Sequence, residues 1–419
     1  MLESAEFTAT HRCAPGDFTR RRTLTLPRMV ACIATGFIKG LQSELDDFFG
    51  RLGGQAGFVR AVSKSAFSQA RGKLKASAFS RLNELLLEHW YTTLAIPRWH
   101  GLRLVAGDTT TVRVPNLPET VDEFGLHNGG RGDAVPMATA FGLYDVASGL
   151  MLHADLHAAS ARDRDLLAGS LDHVQPDDLL LLDRGFPAYW LLAWLQQQRR
   201  HYCIRVDAMD LKAFDGFAFR SGKAEDIITV TVPAAAERKA AARGYALDQT
   251  TFQVRLIRVP LPGGKQEILV TSLLDSDAYP AAEFGDLYHR RWRIEECFKL
   301  LKCRLAVEHF SGELPESVRQ DFLAKVWLGN LTATFAYLAR ASLDAVKQAQ
   351  FIPNMTYAVA ALRAALPRLM LDKKRRARSI RDILGLVANT LEWVRPERHY
   401  PRERQTVKPI RYRAYKAIR

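Results

Sequence analysis

Four consecutive leucines, Leu179-Leu180-Leu181-Leu182, stand between Asp178 and the triplet Asp183-Arg184-Gly185. A run this short, apolar throughout and closed by acids and a glycine, has no polar face to offer water. It reads as a strand buried on both sides, and hence as a central parallel strand covered by helices. The neighbouring pattern agrees. Upstream, the short apolar run Leu102–Gly107 ends in Asp108. Strands are predicted at 137–144 and 150–156, joined through the turn Asp145-Val146-Ala147-Ser148-Gly149, with a helix over 161–174. Downstream, a helix fits 188–198 and a strand 202–206. The order strand, hairpin strands, helix, buried strand, helix, strand predicts an α/β domain with a mixed sheet.

The chain has 419 residues, too many for one core, so two or more domains are expected. Residues 1–95 read as a helical amino-terminal region. The α/β pattern occupies 96–207. Residues 208–274 break the alternation with strands at 227–232, 252–257 and 267–271 and a Gly263-Gly264 turn, a β-rich insertion. Helix returns in 275–310, the part of the catalytic core that carries Glu295, and 311–419 reads as a carboxy-terminal region helical to about Val394 and ending in a basic tail.

The formal net charge is +14, which favours a polyanionic partner: nucleic acid, or an anionic membrane surface. The best apolar stretch, Met29–Ile38, is far short of the roughly 20 residues a membrane helix needs and suits a buried helix. Cys13, Cys32, Cys203, Cys297 and Cys303 form no zinc-ligand spacing, and their scatter suits a reducing cytoplasm. No phosphate-binding P-loop appears, which leaves nucleotide hydrolysis without a motif. Basic candidates for DNA contact are Lys64, Arg71 and Lys73 on a helix that Ser63 or Ser65 would cap, and the tail 395–419, with nine Lys/Arg against two Glu and three interleaved tyrosines. His153 and His157, with Asp163 and Asp165 beyond them, are more simply a strand and a helix start than a metal cluster. Arg205, on a strand, suits a phosphate contact or a structural ion pair equally.

The densest chemistry lies in Tyr288–Lys302. On one continuous helix, at about 100° per residue, Tyr288, Arg291, Glu295 and Lys302 share an arc of about 60° beside an apolar stripe of Ile294, Phe298, Leu301 and Leu305. A carboxylate there can bind Mg²⁺, Arg291 and Lys302 can hold phosphates, and Tyr288 can donate to a phosphate or stack on a base. The same residues suit a salt-bridged surface helix, since Arg291 and Glu295 are an i, i+4 pair. Asp108 and Asp183 shift the balance, because each ends an apolar strand. Adjacent strands would bring them together at one end of a sheet. With Glu295 they could hold two Mg²⁺ about 3.5–4 Å apart for in-line phosphodiester chemistry. A paired-carboxylate glycosidase fits the acids but leaves the charge and the flanking cations unexplained.

Tyr288, Arg291, Glu295 and Lys302 fit a Y-x2-R-x3-E-x6-K pattern. In this the chain resembles bacterial insertion-sequence transposases of the DDE type, the IS-four family. Leu104–Thr111 and Leu180–Phe186 are similar to that family's first- and second-aspartate strands. The resemblance implies a ribonuclease-H-like catalytic domain interrupted by the β-rich insertion and flanked by helical ends. It implies Asp108, Asp183 and Glu295 as catalytic, metal-binding residues. The implied cofactor is Mg²⁺, with Mn²⁺ substituting, as two ions. It also implies double-stranded DNA as partner, both terminal inverted repeats and target, with cut-and-paste transposition by a homodimer on DNA, in the bacterial cytoplasm at the nucleoid. The alternative is a catalytically inactive DNA-binding derivative.

Overall fold

A computed structural model describes residues 1–394 apart from Arg21, Ala56, 128–133 and 208–210. The glycine-rich 129–132 segment, Asp133 and the basic tail 395–419 lie outside the described residues. The chain divides into two units, each assembled from separated segments.

One unit comprises Leu87–Val112 and Phe124–Lys299. It is built on a sheet of β1 (Arg103–Arg113), β2 (Leu126–His127), β3 (Val135–Asp145), β4 (Leu150–Ala158), β5 (Asp178–Leu182), β6 (His201–Val206), β7 (Glu225–Thr231), β8 (Thr251–Pro260) and β9 (Gln266–Thr271). The strand order is β2-β3-β1-β5-β6-β9-β8-β7, and β4 pairs with β3. The leucine run behaves as expected: every residue of β5 is buried, and β5 is parallel to both β1 and β6. Helices Asp163–Gly169 and Tyr189–Gln197 bury Leu167, Leu191, Leu192 and Leu195 in the core that holds Leu180 and Leu182. Gly107 permits the close approach of β1 to β5, since a Cβ there would stand 2.8 Å from Leu182 Cδ2.

The region expected as an insertion is less separate than its sequence suggests. β7, β8 and β9 are antiparallel to one another, and β9 pairs antiparallel with β6, Cys203 opposite Thr271. The insertion therefore extends the central sheet. The reason is physical: β6 would otherwise be an edge strand with unpaired backbone groups, and β9 satisfies them. The predicted glycine turn is present, with Gly263 and Gly264 both at positive φ between β8 and β9.

The second unit comprises Met1–Leu86, Arg113–Glu123 and the chain from Leu300 onward. Its helices include Leu26–Ala34, Leu41–Gly53, Lys64–Arg71, Pro315–Ala341, Met355–Leu371 and Arg376–Ala388. Leu26–Ala34 packs against Pro315–Ala341 and Met355–Leu371. Met29, Val30, Ile33, Phe322, Val326, Leu362 and Leu366 are buried there. The amino- and carboxy-terminal helical regions, expected as separate parts at 1–95 and 311–419, thus share one core. Each end offers helices with an apolar face that the other covers. Among the described residues no helix is long and apolar enough to cross a membrane.

Candidate active site

The parallel register of β1 and β5 runs from Arg103 opposite Asp178 to Gly107 opposite Leu182. One residue beyond the last pair stand Asp108 and Asp183. The acids that end two separate apolar runs are thereby set side by side, Asp183 just past the end of β5 and Asp108 midway along β1, which runs on to Arg113 beyond the end of its partner. Glu295 comes from the helical turns Arg293–Lys299. Two bonds fix that segment to the sheet. The Tyr288 hydroxyl donates to the Leu182 carbonyl, 3.1 Å, immediately before Asp183, and Arg293 Nη1 donates to the Val146 carbonyl, 2.8 Å, in the β3–β4 turn.

Arg291 joins the acids. Its Nη2 lies 3.0 Å from Glu295 Oε1 and its Nη1 lies 3.4 Å from Asp108 Oδ2. The guanidinium lies over the rings of Trp292 and Tyr288. Its buried Nε has no hydrogen-bond partner among the described residues. Burial pushes the Asp108 carboxyl up to about 6. The Thr109 amide and Arg291 pull it down, while the charges of Asp183 and Glu295 push it further up. Asp108 therefore feels both other acids.

The sequence expectations meet the structure unevenly. Tyr288, Arg291 and Glu295 do face the same end of the sheet. Tyr288, however, is 3% exposed and its hydroxyl is taken by Leu182, which removes it as a DNA contact. The single continuous helix is also corrected: the segment runs α-helical at Phe284–His289, 3-10 at Arg290–Trp292, α-helical at Arg293–Lys299 and π-helical at Leu300–Arg304. Each change of winding resets the angular phase, so the shared arc drawn to Lys302 does not hold beyond Lys299. Lys302 falls in the π turn, within the other unit. Arg205 pairs with Glu267 at 3.0 Å, the structural alternative.

Ser63 does cap the helix Lys64–Arg71, accepting from the Ala66 amide, and Lys64 and Lys73 are exposed. Arg71 is not a surface cation. It is 3% exposed and pairs with Asp321 at 2.9 Å, while donating to Gln320, Ser311 and the Ser317 carbonyl. A guanidinium so held is unavailable to DNA, which corrects its assignment as a contact.

The strand and helix start expected of His153, His157 and Asp163 are present, the histidines on β4 and the acid opening the helix Asp163–Gly169. Asp163 does not join His153 and His157. His153 instead stacks on His173, ring centroids 4.0 Å apart. The Asp163 carboxylate accepts from Thr109 Oγ1, 3.1 Å, on the residue after Asp108. Burial, with the nearby Asp183 charge, raises its pKa. No spacing rule links Asp163 to Thr109; the only local signal is an acid a few positions past the end of a strand.

These side chains offer hard oxygen donors suited to Mg²⁺ or Mn²⁺. Among the described residues no three His, Cys, Asp or Glu side chains are already grouped to hold a metal ion. The guanidinium of Arg291 occupies the space between Asp108 and Glu295. The donor chemistry and the mutual repulsion fit a divalent cation, and Arg291 partly supplies that charge in its place.

Residues 99–331 match the family described as the transposase DDE domain, a segment that contains all of these acids and Arg291. The chain belongs to the DDE transposase family. It is a DNA-cleaving enzyme of that family, with the family's general dependence on a divalent metal. It is 27% identical over 322 residues to the transposase InsG for insertion sequence element IS4 of Escherichia coli strain K12, covering 74% of this chain and 70% of that one. This bears out the resemblance to the IS-four group. It is 29% identical over 110 residues to the putative transposase InsL for insertion sequence element IS186A of the same strain, covering 26% of this chain and 28% of that one. Among solved structures, a piggyBac transposase synaptic complex with hairpin DNA aligns with a TM-score of 0.45 and 9% identity, over 91% of this chain and 80% of that one.

Proposed function

We propose that Asp108, Asp183 and Glu295 are the catalytic carboxylates of an active transposase that cuts the ends of an insertion sequence and joins them to target DNA. The observation that supports this best is the β1–β5 register, which sets Asp108 beside Asp183, with Arg291 tying Asp108 to Glu295. The sheet around them, a hairpin pair beside parallel strands alternating with helices, is read as ribonuclease-H-like. Two Mg²⁺ ions, with Mn²⁺ substituting, would be held by the three acids, and would sharpen a water or 3′-hydroxyl nucleophile and stabilise the leaving oxygen. Tyr288 keeps the glutamate-bearing segment against the end of β5. Arg291 neutralises Asp108 and Glu295 in the metal-free protein and, once released, is a cation placed to meet a phosphate.

The substrate is double-stranded DNA, terminal inverted repeats and then target. Lys64 and Lys73, exposed in the amino-terminal helical region, are proposed as backbone contacts. The enzyme is proposed to work as a homodimer on DNA, in the bacterial cytoplasm at the nucleoid. Nothing observed favours the inactive alternative, since all three acids are present. Cleavage of an end-containing DNA with Mg²⁺ tests the reading. Asp108→Ala, Asp183→Ala and Glu295→Ala are each expected to abolish cutting while preserving the folded state. Undiminished cutting by any one of them removes that residue from the site.

A further inference from the structure

Four carboxylates lie around the carboxyl end of β5 closely enough to feel one another's charge: Asp183 follows β5, Asp108 stands beside it on β1, Glu295 acts on Asp108 and Asp183 acts on Asp163. An aspartate in the first turn of a helix is commonplace and favoured by the helix dipole, and Asp163 opens the helix Asp163–Gly169. Its side chain nevertheless takes an unusual course. Oδ1 is held by the Thr109 hydroxyl at 3.1 Å, next in sequence to Asp108. Oδ2 is turned toward Gly185: a Cβ placed there would stand 3.6 Å from it and 3.0 Å from Asp183 Oδ1. Asp165, two residues on, shows the ordinary alternative, a surface pair with Arg243 at 3.3 Å.

The two halves of the site differ in charge compensation. Asp108 and Glu295 share Arg291. Among the described residues neither Asp163 nor Asp183 forms an ion pair. Arg164, whose charge partly offsets that of Asp163, turns its Nε to the Gly185 carbonyl. Neighbouring carboxylates without an ion-pair partner repel; these two flank Gly185, whose amide donates to Asp183 Oδ1 at 2.8 Å, and the Asp183 charge pushes the Asp163 pKa up. The metal dependence of the family supplies the missing charge.

We propose that Asp163 is a fourth metal-binding carboxylate, sharing a divalent cation with Asp183 on the side of the site that Arg291 does not neutralise. This rests on the reading of Asp108, Asp183 and Glu295 given above. The Thr109 hydroxyl orients Asp163 by binding one oxygen and leaves the other for the cation. Gly185 keeps the space between the two acids open. A cation bound there leaves Arg291 in place, whereas one between Asp108 and Glu295 must move it.

The test is Mn²⁺ binding by the full chain without DNA, followed through the paramagnetic resonance of free Mn²⁺, alongside thermal melts with Mn²⁺ and with chelator. Asp163→Asn is expected to weaken Mn²⁺ binding about tenfold or more, as Asp183→Asn does. Asp163→Glu should recover part of the loss, and Asp165→Asn should bind as the unaltered chain. In chelator, Asp163→Asn should melt no lower than the unaltered chain, because removing one charge relieves the repulsion; only the metal-induced rise should shrink. Asp163→Asn that binds Mn²⁺ normally, with Asp183→Asn impaired, overturns the fourth ligand and leaves the three-acid reading standing. Normal binding by Asp108→Asn, Asp183→Asn and Glu295→Gln alike overturns the three-acid reading itself. A lower melting temperature of Asp163→Asn in chelator, with the metal-induced rise intact, marks a purely structural role and also overturns the proposal.

Discussion

Arg71 and Arg291 are both buried guanidinium groups paired with carboxylates, and both stand in segments whose sequence suggests contact with DNA. Their surroundings differ in completeness. Arg71, in the helical unit, has short bonds to Gln320, Ser311, Ser317 and Asp321, none longer than 2.9 Å. Arg291, at the end of the sheet, reaches Asp108 only at 3.4 Å and leaves a buried Nε–H without a partner among the described residues. A saturated buried charge fastens a structure. An under-bonded one between two acids is held ready for exchange, because a cation or a phosphate can replace what it now touches. Burial alone does not separate these roles; the tally of partners does.

The largest expected effect tests the fastening half. Arg71→Met leaves Asp321 buried and unpaired and is expected to cost about 3–5 kcal/mol in urea unfolding, with no recovery on adding Mg²⁺. Recovery by metal would erase the distinction between the two arginines. Arg291→Met is expected to cost less, about 1–3 kcal/mol in chelator. Here a divalent cation should restore stability, since it takes over the neutralising charge; metal at a hundred times its dissociation constant contributes about 2.7 kcal/mol. A loss as large as that of Arg71→Met, and insensitive to metal, would make Arg291 a structural residue.

Asp108 supplies a pH signature of the same contrast. Its folded-state pKa is raised, from 3.8 to about 6, so the folded protein binds this proton more tightly than the unfolded chain. The stabilisation is complete below about 3.8 and is lost as pH rises through about 6, on the order of 3 kcal/mol in the metal-free protein. Asp108→Asn should flatten that part of the stability profile, and metal affinity should rise over the same window as the carboxylate is freed. An unaltered profile in Asp108→Asn would show that the acid is not held as described. The smallest effect belongs to Arg205→Ala. Its pair with Glu267 leaves the side chain 40% exposed, and the expected loss is below about 1 kcal/mol by urea titration, with DNA affinity unchanged. A clear fall in DNA affinity would return Arg205 to the list of phosphate contacts.

What could be read from the sequence follows the range of the interactions involved. β5 was legible because four leucines admit only a strand buried on both faces, and Asp183 followed from its end. Glu295 and Arg291 were legible because four residues of helix separate them. The burial of Arg71 was not: its partner Gln320 lies 249 residues away, and a basic residue on a polar helix looks solvated until that partner is placed. The continuation of the sheet through β9 was hidden similarly, since strand pairing between Cys203 and Thr271 leaves no local trace. Tyr288 was assigned to the correct end of the sheet and the wrong task, because a hydroxyl that suits a phosphate suits a backbone carbonyl equally. Asp163 is legible as a helix start but not as a neighbour of the site, because its contact with Thr109 spans 54 residues and belongs to no repeating pattern.

The pairing of β1 with β5 has a consequence for how such a gene tolerates change. Two acids 75 positions apart meet only because Gly107 stands opposite Leu182 and each acid is the next residue. Side chains alternate along a strand, so loss or gain of one codon within 103–107 would turn Asp108 to the opposite face while leaving composition and hydrophobicity almost untouched. Point substitutions among the leucines should erode stability by degrees. A single in-frame deletion in β1 should instead silence the enzyme at one stroke and leave a folded, DNA-binding remnant behind.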